Sequence, residues 1–353
     1  MTTITTQEAM TIQRAIDITS RFGHLQAEDA ESVMEQIMSG EATEAQIGAY
    51  LMALRMKGET PEEITGSARA MRKQSTKVPI SIEGDILDTC GTGGDRSGTF
   101  NISTTTAFVC AGAGMPVAKH GNRAATSKSG SADVLGALGV NLDLTPEQVG
   151  KCVDEVGIGF LFAVKLHPAM KHAIGPRRQM KIRTIFNILG PLTNPAGANR
   201  QLMGVFAADL TEVLAKVLKR LGTKSAIVVN GYGGMDELTV TGPSTISHLK
   251  EDGIIDTYEL DPSKLGFDPA SIGQLLGGTP EENAVILREI LNGKQRGAKR
   301  DIVVLNSGAA LWAAGKADNI QQGVKLAEES IDSGAAEQKL DALIEMSQSF
   351  ANE

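Results

Sequence analysis

Residues 88–104 read DTCGTGGDRSGTFNIST, and the apolar pair Ile86-Leu87 leads into them. The pattern predicts a strand that breaks into Gly91, Gly93, Gly94 and Gly98, then a helix resuming near Ile102. Glycines let the chain fold tightly enough to aim several backbone N–H groups at one anion. A helix beginning at Asn101–Ser103 adds its N-terminal donors and dipole. Ser97, Thr99, Ser103 and Thr104 supply hydroxyls, and Asp95 suits a sugar hydroxyl or a metal-bound water. The stretch therefore reads as a phosphate or diphosphate cradle. Taken alone it reads more readily as a glycine-rich surface loop. No Gly-Lys-Ser/Thr follows and the glycines do not fall as G-x-G-x-x-G, so it is neither a Walker A loop nor a dinucleotide fingerprint.

Around this stretch the whole chain sets limits. At 353 residues it exceeds one ordinary core, which predicts two domains. A net charge of −8, a pI near 5.3 and only 4% aromatic residues argue against nucleic acid as a partner. An anionic ligand then needs a locally basic pocket, because the global field opposes it. Cys90, Cys110 and Cys152 show no C-x-x-C spacing, which argues against disulfides or structural zinc and suits a reducing compartment. The N-terminus lacks the basic start and apolar core of a signal peptide, and no apolar run reaches the length of a membrane span. The expectation is a cytoplasmic protein with no membrane partner.

Residues 7–75 carry helical periodicity in four segments. The marks are Ile12–Phe22, Ala30–Ile37 ending at Ser39-Gly40, a segment capped by Thr43, and one opened by Thr60-Pro61. They predict a small helical bundle over 1–78, with possible return helices from later in the chain and apolar faces suited to a second copy. Beyond Val78-Pro79, apolar runs alternate with helical stretches. Strands are expected at 85–89, 115–119, 157–162, 201–206, 225–230, 245–249, 255–259 and 301–305. Helices are expected at 102–113, 129–138, 145–155, 168–180, 209–222, 280–292, 307–315, 318–333 and 336–350. This is an α/β domain over 79–353 with a central, largely parallel sheet flanked by helices.

Three further clusters carry chemistry. Lys119-His120-Gly121-Asn122-Arg123 runs into Ala124, Ala125, Thr126, Ser127, Lys128 and on to Ser131. It forms a second anion-binding loop, this one charged, or a solvated basic turn. Asp236 and Glu237 in Gly231–Glu237 suit a hard cation such as Mg²⁺, which takes one or two carboxylates and fills its other positions from water and phosphate, or they form an acidic surface turn. Arg177, Arg178, Lys181 and Arg183 form a basic edge beside the apolar run Phe186–Leu192, as a site for a carboxylate on an aromatic or aliphatic group would. Of these Arg177 is the better placed.

Together GTGGD at 91–95, NIST at 101–104, KHGNRAATSKSGSADVL at 119–135, RTIFNILGPLTNP at 183–195 and GMDE at 234–237 resemble the anthranilate phosphoribosyltransferase family, over essentially the whole chain. The resemblance implies a fold shared with pyrimidine nucleoside phosphorylases and a homodimer built through the helical domain. It also implies transfer of phosphoribosyl from 5-phosphoribosyl 1-diphosphate to the anthranilate amine. Carried over residue by residue, the phosphoribosyl diphosphate contacts are Gly91, Gly94, Asp95, Thr99, Asn101, Ile102, Ser103, Thr104 and Lys119 through Ser127, with Ser131. Ser103, Asp236 and Glu237 would bind Mg²⁺, and Gly91, Asn122 and Arg177 would meet anthranilate. Lys119 and Arg123 would act electrostatically, with no acid or base required and His120 a binding residue. Lys181 departs from the pattern, standing where the family commonly has glycine before Ile182. The rival readings are a pyrimidine nucleoside phosphorylase-like enzyme and a nucleic-acid-binding paralogue. The first usually has K-x-S-T-G-G where Asp88-Thr89-Cys90 precedes Gly91 here; the acidic pI opposes the second.

Overall fold

The computed structural model describes residues 10–124 and 128–352. The chain divides into two compact units, one taking in the chain up to Ser75 and His167–Thr193, the other Thr76–Leu166 and Asn194 onward.

In the first unit four helices follow in turn: α1 (Ile12–Ser20), α2 (Ala27–Ser39), α3 (Glu44–Lys57) and α4 (Pro61–Gln74). Capping boxes start α3 (Thr43 with Gln46) and α4 (Thr60 with Glu63), and α2 stops at left-handed Gly40. Val33, Met34, Ile37, Tyr50, Leu51, Leu54 and Ile64 are fully buried between them. A Cβ on Gly66 would strike the Ala27 carbonyl oxygen, so α2 and α4 meet backbone to backbone there. Glu63, also buried, accepts from the Leu25 N–H at 3.0 Å and pairs with Lys57 at 2.7 Å, so its charge is compensated. The returning segment adds the helix Lys171–Met180, whose Gln179 reaches Glu44 of α3.

The second unit is built on a seven-stranded sheet of order β3-β2-β1-β4-β5-β6-β7. The strands β1 (Leu87–Asp88), β2 (Val117–Gly121), β3 (Ile158–Phe162), β4 (Arg200–Gly204) and β5 (Ser225–Asn230) are parallel to one another. The strands β6 (Ser244–Leu249) and β7 (Ile255–Leu260) extend the β5 edge in antiparallel sense. The chain runs outward from β1 to β3 on one side, then restarts beside β1 at β4. The crevice at the carboxyl ends of β1 and β4 is therefore a topological switch point, where open α/β sheets bind ligands.

One expected strand is wrong. Residues 301–305 are not extended, and no separate helix starts at 307: a single helix, Ala298–Ala313, covers both. Ile302, Val303, Val304 and Leu305 are all buried, so the segment is apolar on every side. A short β-branched run buried all round looks the same to periodicity in a core helix and a core strand. Two single-turn helices, Ala163–Leu166 and Phe186–Leu189, have no counterpart among the expected elements, and β1 is shorter than the anticipated 85–89. Among the described residues no helix is long and apolar enough to cross a membrane.

Candidate active site

The loop after β1 spends its glycines on curvature. Gly93, Gly94 and Gly98 have φ of 68°, 80° and 72°, and Arg96 joins them at 64°. Gly91 is needed for closeness instead: a Cβ there would stand 2.8 Å from the Gly204 carbonyl oxygen, which the Thr92 N–H meets at 2.8 Å. The loop ends at Asn101, from which α5 (Ile102–Gly112) starts without a side-chain cap. Asn101 uses its amide laterally. Its oxygen accepts from Asn283 at 2.9 Å and from the Ser129 hydroxyl at 3.2 Å, while its nitrogen donates to the Ser129 carbonyl at 3.2 Å. Thr99 pairs with Leu276, and the Gly277 N–H donates to Gly98 at 3.0 Å. A segment far away in sequence thus grips the outer half of the glycine loop. Within the first turn of α5, Ile102 is buried, Ser103 half-buried, and the buried Thr104 hydroxyl meets no partner among the described residues.

The second loop leaves β2. Lys119 and His120 are buried at its root, while Asn122 and Arg123 are exposed. Asp133 accepts from the Ala124 N–H at 2.8 Å, the Gly130 N–H at 2.9 Å and the Arg123 guanidinium at 3.0 Å. Ser131 closes on Asn122 in both directions at 3.2 Å, and Gly121 leaves the space its hydroxyl fills. The Arg123 guanidinium also lies 5.7 Å from the Phe162 ring centre, which stiffens an exposed cation. The expected contacts Ala125, Thr126 and Ser127 lie outside the described residues.

The acidic turn follows β5, and a Gly231–Met235 bridge tightens it. Asn306 of Ala298–Ala313, fully buried, holds the adjoining Leu238 by both backbone groups, at 3.0 and 2.8 Å. The helix that stands where periodicity predicts a strand is thus what supports this turn. A Cβ on Gly204 would run into the Asp236 carbonyl oxygen, which brings the end of β4 directly beneath the pair. Asp95, from the first loop, accepts the Asp236 N–H at 3.3 Å and its own loop's Ser97 N–H at 3.0 Å. Burial first, then the neighbouring Asp95 charge and hydrogen bond, push the Asp236 carboxyl up to about 7. Burial and then Asp236 hold Glu237 well above its ordinary value, against the opposing pull of Lys119. The backbone N–H groups of Ser103 and Gly93, in the first loop, pull the Glu237 and Asp236 carboxyls partly back down.

Carboxylates crowded this way favour a counter-cation, and the hard oxygens of Asp236 and Glu237 fit Mg²⁺. Among the described residues no three of His, Cys, Asp and Glu are arranged to hold a metal ion by themselves, so water or substrate oxygens would complete any such shell. Cys90 sits in the first loop with its thiol pushed up to about 12 by burial and then by Asp88, an inert side chain at neutral pH. Arg177 belongs to the first unit, half-buried in the last turn of Lys171–Met180, its guanidinium 5.2 Å from the Phe186 ring centre. Burial lowers its pKa without bringing deprotonation into reach.

The structure thus gathers both loops and the acidic turn at the carboxyl edge of one sheet. Sequence reading passes over the residues that brace them, namely Asn283, Asp133, Asn306, Gly204 and Asp88. Only Asp133 carries a local signal, standing three places after Gly130 as an N3 acid does. The others act across gaps of sequence that no motif spans.

Residues 83–337 match the α/β domain of a glycosyl transferase family, and residues 12–75 match that family's helical bundle domain. The anthranilate phosphoribosyltransferase of Citrifermentans bemidjiense is 55% identical over 325 residues, 88% of this chain and 92% of its own length. That of Moorella thermoacetica is 55% identical over 329 residues, 93% of this chain and 96% of its own. Among solved structures, anthranilate phosphoribosyltransferase from Thermus thermophilus superposes with a TM-score of 0.90 at 42% identity, covering 95% of this chain and 99% of that one. The Saccharomyces cerevisiae enzyme in complex with PRPP and Mg gives 0.86 at 29% identity, covering 96% and 98%. With the fold, the loop positions and these likenesses in agreement, the chain belongs to the anthranilate phosphoribosyltransferase family.

Proposed function

We propose that this protein transfers the phosphoribosyl group of 5-phosphoribosyl 1-diphosphate to the amine of anthranilate, releasing diphosphate, as a step of tryptophan biosynthesis in the cytoplasm. The observation that carries the reading is the meeting of two anion-binding loops and an acidic pair at one sheet edge, in a chain 55% identical to enzymes of that name. Cleavage of the bond from ribose C1 to diphosphate builds positive charge on the sugar and negative charge on the leaving group. Preorganised donors aimed at the leaving charge are the largest kind of catalytic contribution. The loop N–H groups from Gly91 to Thr104, with Lys119 and Arg123, would supply them. Mg²⁺, held by Asp236, Glu237 and Ser103 with substrate oxygens, would add Lewis-acid neutralisation of the diphosphate. His120 serves as a binding group, since the aromatic amine turns strongly acidic on bonding to carbon and needs no strong base. The remaining contribution is positioning of a weak nucleophile against C1. Arg177 would take the anthranilate carboxylate as a charge-assisted fork.

The test is loss of anthranilate fluorescence on mixing with phosphoribosyl diphosphate and Mg²⁺. Arg177→Ala is expected to raise KM for anthranilate about tenfold or more while that for phosphoribosyl diphosphate changes little. An unchanged anthranilate KM overturns the assignment of Arg177, and no reaction in wild type overturns the function.

The bundle is read as the face of a homodimer. Met52 and Met56, one turn apart on α3, are 43% and 65% exposed, an apolar stripe that one copy leaves uncovered. Sedimentation of wild type as a single chain would refute this.

A further inference from the structure

Asp88 is almost wholly buried, 1% exposed, at the carboxyl end of β1. That strand is only Leu87–Asp88, while its neighbour β2 runs on to Gly121. Where β1 breaks away into the glycine loop, β2 loses its ladder partner on that side. Side chains take over. One oxygen of Asp88 accepts from the Cys90 N–H at 3.0 Å and from the His120 N–H at 3.1 Å. Its other oxygen accepts from the Asn194 amide at 2.7 Å, and the same amide donates to the Ala118 carbonyl at 2.8 Å. The Asn194 oxygen in turn accepts the Ala196 N–H at 2.9 Å.

One carboxylate oxygen therefore joins the root of the first anion loop, two residues beyond β1, to the root of the second, at the end of β2. We propose that Asp88 is a positioning residue, which with Asn194 sets the spacing between the two loops and so the fit of the two ends of a phosphoribosyl diphosphate. The inference rests on the reading that those loops hold this substrate. Asp88 touches no reacting atom itself; it works through Cys90 and His120. Burial, the largest cause, pushes its carboxyl up to about 6, against the pull of Lys119, so at neutral pH the ionised form, accepting at both oxygens, prevails. A neutral isostere cannot reproduce this. An Asn amide has to turn its NH₂ either to Asn194, donor against donor, or to the two backbone N–H groups.

The experiment measures binding of phosphoribosyl diphosphate with Mg²⁺ by calorimetry, and KM for both substrates, for Asp88→Asn, Asn194→Ala and the exposed-loop control Arg123→Ala. Asp88→Asn is expected to weaken phosphoribosyl diphosphate binding about tenfold or more, because displacement of a positioning group by a fraction of an ångström is felt at that level. Amide exchange at Cys90 and His120 should quicken in the same variant. Asn194→Ala, which leaves the carboxylate in place, should weaken binding in the same direction by a smaller factor. Should Asp88→Asn fail to fold, Asn194→Ala decides alone. Wild-type binding in a folded Asp88→Asn or in Asn194→Ala, while Arg123→Ala binds weakly, overturns the positioning role. Wild-type binding in all three instead removes the assignment of the loops to this substrate.

Discussion

At the scale of single residues, most left-handed positions among the described residues are taken by glycine, which adopts them without strain, and Lys181 is an exception. It ends Lys171–Met180 in a left-handed conformation with φ of 52°, its N–H donating to the Arg177 carbonyl at 3.2 Å. That is where a helix usually places glycine, because a Cβ in this region crowds the following carbonyl. The left-handed conformation of Lys181 thus has a definite cost. Lys181→Gly is expected to stabilise the protein by about 1 kcal/mol, read from the midpoint of chemical denaturation. A midpoint equal to or below that of wild type would contradict this. Among the described residues Arg96 and Phe22 are the other non-glycine residues in that region, and Arg96 lies inside the glycine loop after β1.

At the scale of elements, β6 and the helix Ala298–Ala313 meet through one histidine. His248 is 5% exposed and edge-on to Trp312, with ring centres 4.4 Å apart, and its Nδ1 finds no hydrogen-bond partner among the described residues. Burial and then Lys250 lower its pKa from 6.5 to about 4, with Asp256 and Asp252 pulling the other way. The folded state therefore binds fewer protons than the unfolded one between those values. Stability from this group is present above about 6.5 and is lost as the pH falls through 4, by up to about 3 kcal/mol. His248→Leu should flatten that part of the stability profile, measured by denaturation between pH 4 and 7. An unchanged slope would show that the imidazole is hydrated in the folded protein. The same helix also supports the acidic turn through Asn306, so an element that reads as strand in the sequence proves to serve the site from beneath.

Across the second unit, chemistry and stability lie at opposite ends of the sheet. The loops and the acidic turn follow the carboxyl ends of β1, β2 and β5. At the amino ends, Arg200 is 4% exposed on its side chain and holds Asp85 at 2.6 Å, Glu251, and the Ala313 carbonyl at 3.2 Å. Lys224 joins Asp85 at 3.0 Å. Arg200→Ala strips Asp85 of one of its two cations and the Ala313 carbonyl of a charged donor, and is expected to cost about 2 kcal/mol of stability. KM for both substrates should stay within about twofold, since nothing in the binding edge is touched. A raised KM with unaltered stability would reverse the division of labour. Much of this architecture is legible in the amino-acid sequence. The four N-terminal helices announce themselves by caps and periodicity, and Thr43, Thr60-Pro61 and Gly40 act within one turn of chain. The glycine loop, the basic loop and the Asp236-Glu237 pair are likewise readable, because backbone curvature and local charge depend on adjacent residues. Tertiary structure alone decided that 301–305 is helix, since burial on all sides erases the difference in period. It alone decided the strand order that sets β1 beside β4, and it alone brought Asp88 to His120, Asn101 to Asn283 and Asp95 to Asp236. Hydrogen bonds between residues tens to hundreds of positions apart leave no periodic trace in sequence; they exist only once the sheet has chosen which strands are neighbours.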